Sequence, residues 1–281
     1  MVEKAVFMAR LYVEADGKRI SLAGDWKYRI GLSLTGFPPA PVSPVQSSSY
    51  PTVLFNAMVK PWTAFPIKGV IWYQGEANVG RSEQYGDLFP ALITDWRRQW
   101  RSDFPFYFVQ LANFMESKKI QPDSEWAALR EAQTKALKLD QVGMAVTIDI
   151  GLADDIHPKN KQEVGRRLAL VALAGSYGKN VSSSAPVFQN YIIKGNKMEL
   201  DFGQKQDGFQ IKGTTLKGFT IAGPDRVFYP AEAMVHDGKI ILSSTEVPAP
   251  LAARYGWADN PDCNLYGENG LPVAPFRTDC W

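Results

Sequence analysis

The chain has 281 residues, of which 45% are hydrophobic and 12% aromatic, enough apolar side chain to bury a sizeable core and too much for a disordered polymer. Its 31 lysines and arginines against 29 aspartates and glutamates leave a formal charge of +2. That balance supplies no general field for nucleic acid or an anionic membrane, so neither is expected as a partner and a small neutral substrate is.

Met1-Val2-Glu3-Lys4 leads into a mixed segment containing Arg10 and Glu14, which has neither the apolar stretch of a signal peptide nor the length of a membrane span. As written, the chain is expected in the cytoplasm. Residues 1–30 hold short alternating runs such as Ala9-Arg10-Leu11-Tyr12-Val13 and a turn at Asp16-Gly17, which is a hairpin signal. Pro38, Pro39, Pro41, Pro44 and Pro51 with Ser47-Ser48-Ser49 then exclude helix or central strand and predict an extended linker that closes a first region at residue 51.

Across residues 52–178 apolar strand-like runs alternate with long amphipathic stretches, the pattern of βα units and a parallel sheet. Strands are predicted at residues 69–73, 106–111 and 144–148. Leu88, Leu92, Trp96 and Trp100 recur every four residues on one helix, and Trp126, Leu129, Ala132, Ala136 and Leu137 fall near helical spacing on a second. A third helix is predicted from about residue 161 to 173, with Val164, Leu168 and Val171 inward and Gly175 and Gly178 marking its end. From residue 179 to 281 short alternating segments at 197–202 and 239–242, with turns at Lys194-Gly195-Asn196 and His236-Asp237-Gly238, predict a β-rich domain. His236 reads as a solvent-facing turn residue. Cys263 and Cys280 can form one bridge in an oxidising compartment or stay as thiols, and no Cys or His cluster accompanies them to hold a metal.

Open parallel sheets bind ligands at the carboxyl ends of their strands, and three such places carry polar residues. The first strand is followed by Gln74-Gly75-Glu76-Ala77-Asn78, where Gly75 allows a tight turn and Gln74 offers an amide donor to a developing oxyanion. The second leads into Asn113, which reads equally as a turn residue. The third leads through Asp149-Ile150-Gly151-Leu152-Ala153 to Asp154-Asp155-Ile156-His157-Pro158. His157 is one of only two histidines and has carboxylates two and three residues ahead of it, so an acidic group can hold one imidazole nitrogen while the other takes a proton. The plain alternative is an exposed loop histidine ahead of a helix, with Pro158 setting the first turn.

Several long motifs together carry a resemblance. They are Val70-Ile71-Trp72-Tyr73-Gln74-Gly75-Glu76-Ala77-Asn78, Leu88-Phe89-Pro90-Ala91-Leu92-Ile93 with Asp95-Trp96-Arg97, and Phe108-Val109-Gln110-Leu111-Ala112-Asn113-Phe114. Trp126-Ala127-Ala128-Leu129-Arg130-Glu131-Ala132-Gln133, Asp155-Ile156-His157-Pro158-Lys159-Asn160-Lys161-Gln162 and Trp257-Ala258-Asp259-Asn260-Pro261 follow in the same order. In these stretches, from about Leu22 to the end, the chain resembles the sialate O-acetylesterase family. The resemblance implies an SGNH-type hydrolase with a three-layer α/β sandwich that removes acetyl groups from sugar hydroxyls through a serine acyl-enzyme, with no metal or organic cofactor. It implies His157 as base, the Gln74-Gly75-Glu76 turn with Asn78 at the site, Gln74 as an oxyanion donor, and Arg130 shaping the pocket. For the acidic partner it leaves two candidates: Asp154 has the three-residue spacing of SGNH enzymes, and Asp155 sits in the motif this family resembles. Full-length relatives are expected to be secreted or periplasmic.

The family's serine lies in a Gly-Gln-Ser-Asn stretch that does not occur here, so the chain reads as the later portion of a longer enzyme with an incomplete SGNH-type sheet. Three readings follow. The chain is an esterase with a substitute nucleophile, for which Ser33 in Gly31-Leu32-Ser33-Leu34 and Ser48 in the flexible linker are the candidates. It is a non-catalytic sugar binder lined by Trp62, Trp72 and Tyr73. Or it is one half of a split or self-associating enzyme, since a sheet lacking a strand has an open edge that another chain can pair with. The first is the expectation carried forward, with a homo-oligomer expected in any of them.

Overall fold

The computed structural model describes residues 12–21, 50–203 and 208–281. The chain divides into two compact units, Met1–Val53 and Leu54–Trp281. In the first, strands β1 (Tyr12–Ala15) and β2 (Lys18–Ser21) pair antiparallel. Asp16 and Gly17 both take positive φ, 51° and 71°, which is what a two-residue hairpin turn requires.

The second unit begins with a parallel sheet in the order β3 (Val70–Trp72), β4 (Phe106–Val109), β5 (Val142–Ala145). Phe106 stands opposite Val70 and Val142. The last strand ends at Ala145, short of the predicted residue 148. The chain there turns inward, and the Thr147 hydroxyl donates to the Gln110 carbonyl at 2.6 Å. Alternate residues of a strand face opposite sides, and β4 uses both. Phe106 and Phe108 pack with helices α1 (Ser82–Trp100) and α2 (Glu125–Thr134). Tyr107 on the other face meets helix α3 (Lys161–Gly175), its hydroxyl 2.7 Å from Ser176 Oγ just beyond the helix. Helices on both faces of a parallel sheet make three layers, as the sequence predicts.

Local signals explain the helix starts. Ser124 Oγ accepts from Ala127 N at 2.9 Å and Asn160 Oδ1 from Glu163 N at 3.2 Å, each satisfying one of the free amides of a first turn. The buried stripe of α1 differs from the predicted one: Tyr85, Phe89 and Ile93 are buried, Leu92, Trp96 and Trp100 pack partly against them, and Leu88 is 53% exposed. On α2, Trp126 and Leu129 of the predicted face are buried, as is Ala136 in the short turn that follows, whereas Leu137 is exposed.

Ten strands follow, β6 (Asn190–Lys194), β7 (Lys197–Asp201), β8 (Phe209–Ile211), β9 (Phe219–Ala222), β10 (Phe228–Pro230), β11 (Glu232–His236), β12 (Lys239–Ser243), β13 (Ala252–Tyr255), β14 (Leu265–Gly267) and β15 (Phe276–Arg277). They form antiparallel sheets in the orders β11-β12-β7-β6 and β10-β9-β13-β15 and a β14-β8 pair, over a core that includes Met198, Leu200, Ile221, Ile240 and Tyr255. Both predicted turns, Lys194–Asn196 and His236–Gly238, join adjacent strands. The β-rich part is bound to the α/β part by polar ties. Arg277 reaches the Glu131 carboxylate with two bonds of 2.9 Å. Arg254 forms a buried fork with Asp279 at 2.8 and 2.6 Å and donates to Pro122 O at 2.7 Å. No helix among the described residues is long and apolar enough to cross a membrane.

Candidate functional site

The carboxyl end of β3 runs into a turn whose side chains hold one another. Gln74 Nε2 donates to Asn78 Oδ1 at 2.7 Å, and the Tyr85 hydroxyl lies 3.2 Å from Gln74 Oε1 and 3.3 Å from Gln74 O. A carboxamide carries two N–H groups; Asn78 takes one, and the other has no partner among the described residues. Burial raises the Tyr85 hydroxyl above its ordinary value, which keeps it a neutral donor to the Gln74 oxygen. Gly75 is buried, and a Cβ there would sit 3.2 Å from Gln133 Nε2 and 3.3 Å from Leu111 Cδ2, so the turn passes too close to β4 and α2 for a side chain. Glu76 is half-buried, and its charge adds to the burial that pushes the Tyr73 hydroxyl up to about 12.

Behind this turn lies a residue that the sequence reading did not single out for a role. Gln133 on α2 is buried, accepts from Leu111 N at 2.9 Å, and donates to Gln74 O at 3.2 Å and Val109 O at 3.3 Å. It ties the ends of β3 and β4 together. The signal was there: Gln133 follows Leu129 by one helical turn, on a face otherwise apolar.

The segment after β5 is held just as closely. Gly151 N donates to Asn113 Oδ1 at 2.7 Å, and a Cβ on Gly151 would fall 1.8 Å from Asn113 O. Asn113 Nδ2 donates in turn to Asn260 Oδ1 at 2.7 Å, so Asn113 is a structural tie. Asp149 is another: it accepts from Arg167 at 2.6 and 2.9 Å and lies 3.2 Å from the Tyr266 hydroxyl. Ile156 packs into the cluster that contains Trp72, Tyr85 and Leu111, and Lys161 Nζ lies 4.8 Å from the Tyr73 ring centre. The segments on either side of His157 and Gln74 therefore touch the same hydrophobic cluster and each other.

His157 itself presents an 85% exposed ring, with Nδ1 3.9 Å from Asp155 Oδ1. The same carboxylate oxygen accepts from His157 N at 2.9 Å, and Asp155 Oδ2 is 4.0 Å from Lys159 Nζ. Asp155 is thus the carboxylate beside the imidazole, while Asp154 is exposed and forms no ion pair among the described residues. Among those residues no serine hydroxyl is hydrogen-bonded to His157. Ser33 and Ser48 lie outside the described residues.

Arg130 is fully buried and spends its guanidinium on carbonyls: Leu111 O at 2.8 Å, Ala112 O at 2.9 Å, Ala258 O at 2.7 Å and Asp259 O at 2.8 Å. Burial with no hydrogen-bonded carboxylate lowers it to about 9. It shapes the walls from behind and has no surface on which to meet a solute. Cys263 and Cys280 are free thiols, and burial pushes Cys263 up to about 12. His236 is exposed beside Asp237 in its turn. Trp62 is exposed, whereas Trp72 packs in the core. No group of three or more His, Cys, Asp or Glu among the described residues is placed to hold a metal.

Comparison with known proteins places this arrangement in context. Residues 43–174 match the family described as carbohydrate esterase, sialic acid-specific acetylesterase. The chain is similar to the sialate O-acetylesterases of Pongo abelii, 32% identical over 89% of this chain and 54% of the relative, and of Homo sapiens, 31% identical over the same shares. Its fold is similar to the crystal structure of a carbohydrate acetylesterase from Xanthomonas citri, with a TM-score of 0.78 and 46% identity, covering 82% of this chain and 55% of that one. The chain spans about half the length of the curated relatives it matches.

Proposed function

We propose, from the match of residues 43–174 to the family of sialic acid-specific acetylesterases, that the chain hydrolyses acetyl or other short acyl esters on sugars, O-acetylated sialic acid among them. The observation that carries this reading is the Gln74 carboxamide, fixed by Tyr85 and Asn78 with one N–H that has no partner among the described residues.

In the proposed cycle a serine Oγ attacks the ester carbonyl carbon and its proton passes to His157. The carbonyl oxygen becomes an oxyanion and accepts the free N–H of Gln74. The carbon–oxygen bond to the sugar then breaks, and His157 returns the proton to the departing sugar oxygen. Water repeats the sequence on the acyl-enzyme and releases the acid. Asp155, or Asp154 after a small turn of the exposed loop, holds the imidazole. The nucleophile is Ser33 or Ser48. A second source is favoured by one observation: β3 pairs only with β4 among the described residues, and its Ile71 is 71% exposed. An open edge of this kind accepts a strand, so a serine carried by another copy of the chain is the alternative, and with it a homo-oligomer.

The test is labelling of the purified chain with a fluorophosphonate, followed by peptide mapping, beside His157→Ala, Ser33→Ala and Ser48→Ala. A labelled serine that is lost with His157→Ala supports the mechanism and names the nucleophile. Labelling that rises with protein concentration favours the second copy. A folded, unlabelled chain that still binds sugar sinks the serine mechanism and leaves a non-catalytic sugar binder.

A further inference from the structure

The parallel sheet has a further free edge along β5, whose partner strand among the described residues is β4 alone. Phe106 N donates to Gln141 O and Gln110 N to Ala145 O, each at 2.9 Å. Bonds to one neighbouring strand fall on alternate residues, so 141, 143 and 145 face β4 and Met144 turns its N–H and C=O outward. Neither group has a hydrogen-bond partner among the described residues.

Residues 183–187 run past this edge without a hydrogen bond to it. Asn269 holds their segment instead, its Nδ2 donating to Ser182 Oγ and to Ser184 O at 2.7 Å each. Between the segment and β5 lies a cavity of about 250 Å³ whose lining includes Gly143, Met144 and Val171 but no ionisable side chain. Pro186 and Pro272 stiffen its walls, and Leu137 and Val187, which also line it, are 41% and 60% exposed. Exposed aliphatic surface beside an unpaired strand edge invites another strand.

The chemistry of the occupant follows from these groups. In an antiparallel pair one residue exchanges both of its backbone bonds with the residue opposite, so the free N–H and C=O of Met144 match a single peptide residue. A lining without charge offers nothing to offset the desolvation of an ionic side chain, and aliphatic and proline walls suit short apolar ones. We propose that β5 and this cavity bind an extended, uncharged peptide segment with small apolar side chains, which adds to the three described strands as a fourth. The site lies on the edge of the sheet opposite β3 and is independent of the ester-hydrolysis reading.

The test is a calorimetric titration of the full chain with the neutral probe N-acetyl-valyl-alanine N-methylamide, with hydrogen exchange across residues 142–147 followed by mass spectrometry. Binding is expected to slow that exchange about fivefold or more, because the Met144 amide gains a partner. Successive residues of an extended peptide turn their N–H groups to opposite sides, so methylating one of the two residue nitrogens of the probe is expected to cost about tenfold in affinity and methylating the other little. Val187→Lys is expected to weaken binding about tenfold at an unchanged melting temperature, since it sets a charge against an apolar peptide on an exposed position. No binding at millimolar probe, or equal losses for the two methylated probes, overturns the proposal. Protection of residues 142–147 that rises with protein concentration and without the probe also overturns it, because the edge then takes a second copy of the chain.

Discussion

Replacing Arg130 by leucine removes four hydrogen bonds at once, and the structure shows what each acceptor loses. Ala112 O keeps the Trp126 indole at 2.7 Å and Asp259 O keeps Phe114 N at 3.2 Å. Leu111 O and Ala258 O have no other donor among the described residues. Two stranded carbonyls at about 1–3 kcal/mol each give a gross cost of roughly 2–6 kcal/mol. Against this, the variant no longer buries a guanidinium whose burial already lowers it to about 9. That relief moves the expected loss to about 3 kcal/mol, or roughly 6–12 °C in melting temperature for a unit of this size. Thermal unfolding followed by circular dichroism, with urea midpoints as a check, measures it. Arg130→Lys should fall between, since an ammonium retains the charge and cannot reach four diverging carbonyls. A shift below about 2 °C for Arg130→Leu would mean that the carbonyls find water or other donors and that Arg130 is no keystone.

Four other outcomes follow from the same contacts. Gly151→Ala sets a Cβ against the Asn113 carbonyl oxygen at 1.8 Å, so a loss of about 1–3 kcal/mol or more in urea denaturation is expected; a neutral result would show that the loop slides freely. Asp279→Ala leaves the buried Arg254 without its fork and should cost about 3–5 kcal/mol by the same measurement. Glu163 is held down to about 2, chiefly by its hydrogen bonds with Arg166 and then by Arg167. Its folded value lies below the ordinary 4.5, so its contribution is complete above about pH 4.5 and is lost as pH falls toward 2. The drop in urea midpoint between pH 5 and pH 3 should therefore be smaller in Glu163→Gln, and an equal drop counts against the ion-pair account. Gln74→Ala should lower kcat for a sugar acetate roughly 10²–10³-fold, and a change confined to KM would remove Gln74 from the oxyanion.

The layers were legible because each element carries its own period: β4 is an unbroken apolar run, and the Asp237-Gly238 hairpin has the φ values of 48° and 72° its residue types allow. The face of α1 was not. Tyr85, Phe89 and Ile93 recur every four residues just as Leu88, Leu92, Trp96 and Trp100 do, so the spacing offered two adjacent stripes; the core takes the first and only part of the second, leaving Leu88 exposed. At the site, the polar strand ends at Gln74 and Asn113 were readable, since strand-end polar residues are few. Their division into an available amide and a structural tie was not. That division depends on Asn260, well over a hundred residues away from Asn113, and on Gln133, whose place on an apolar helix face marks it as buried without naming Gln74 O as its partner.

The bonds made by Arg130 also set a timetable. Its partners at Ala258 and Asp259 lie 128 and 129 residues further along, and those of Glu131 and Pro122 are 146 and 132 residues away. At synthesis rates of about 5–20 residues per second, the ribosome delivers them roughly 6–30 seconds after α2 emerges. Until then the Arg130 guanidinium has only the Leu111 and Ala112 carbonyls of its four acceptors to bind. Residues 254–277 thus secure a helix that was translated well before them.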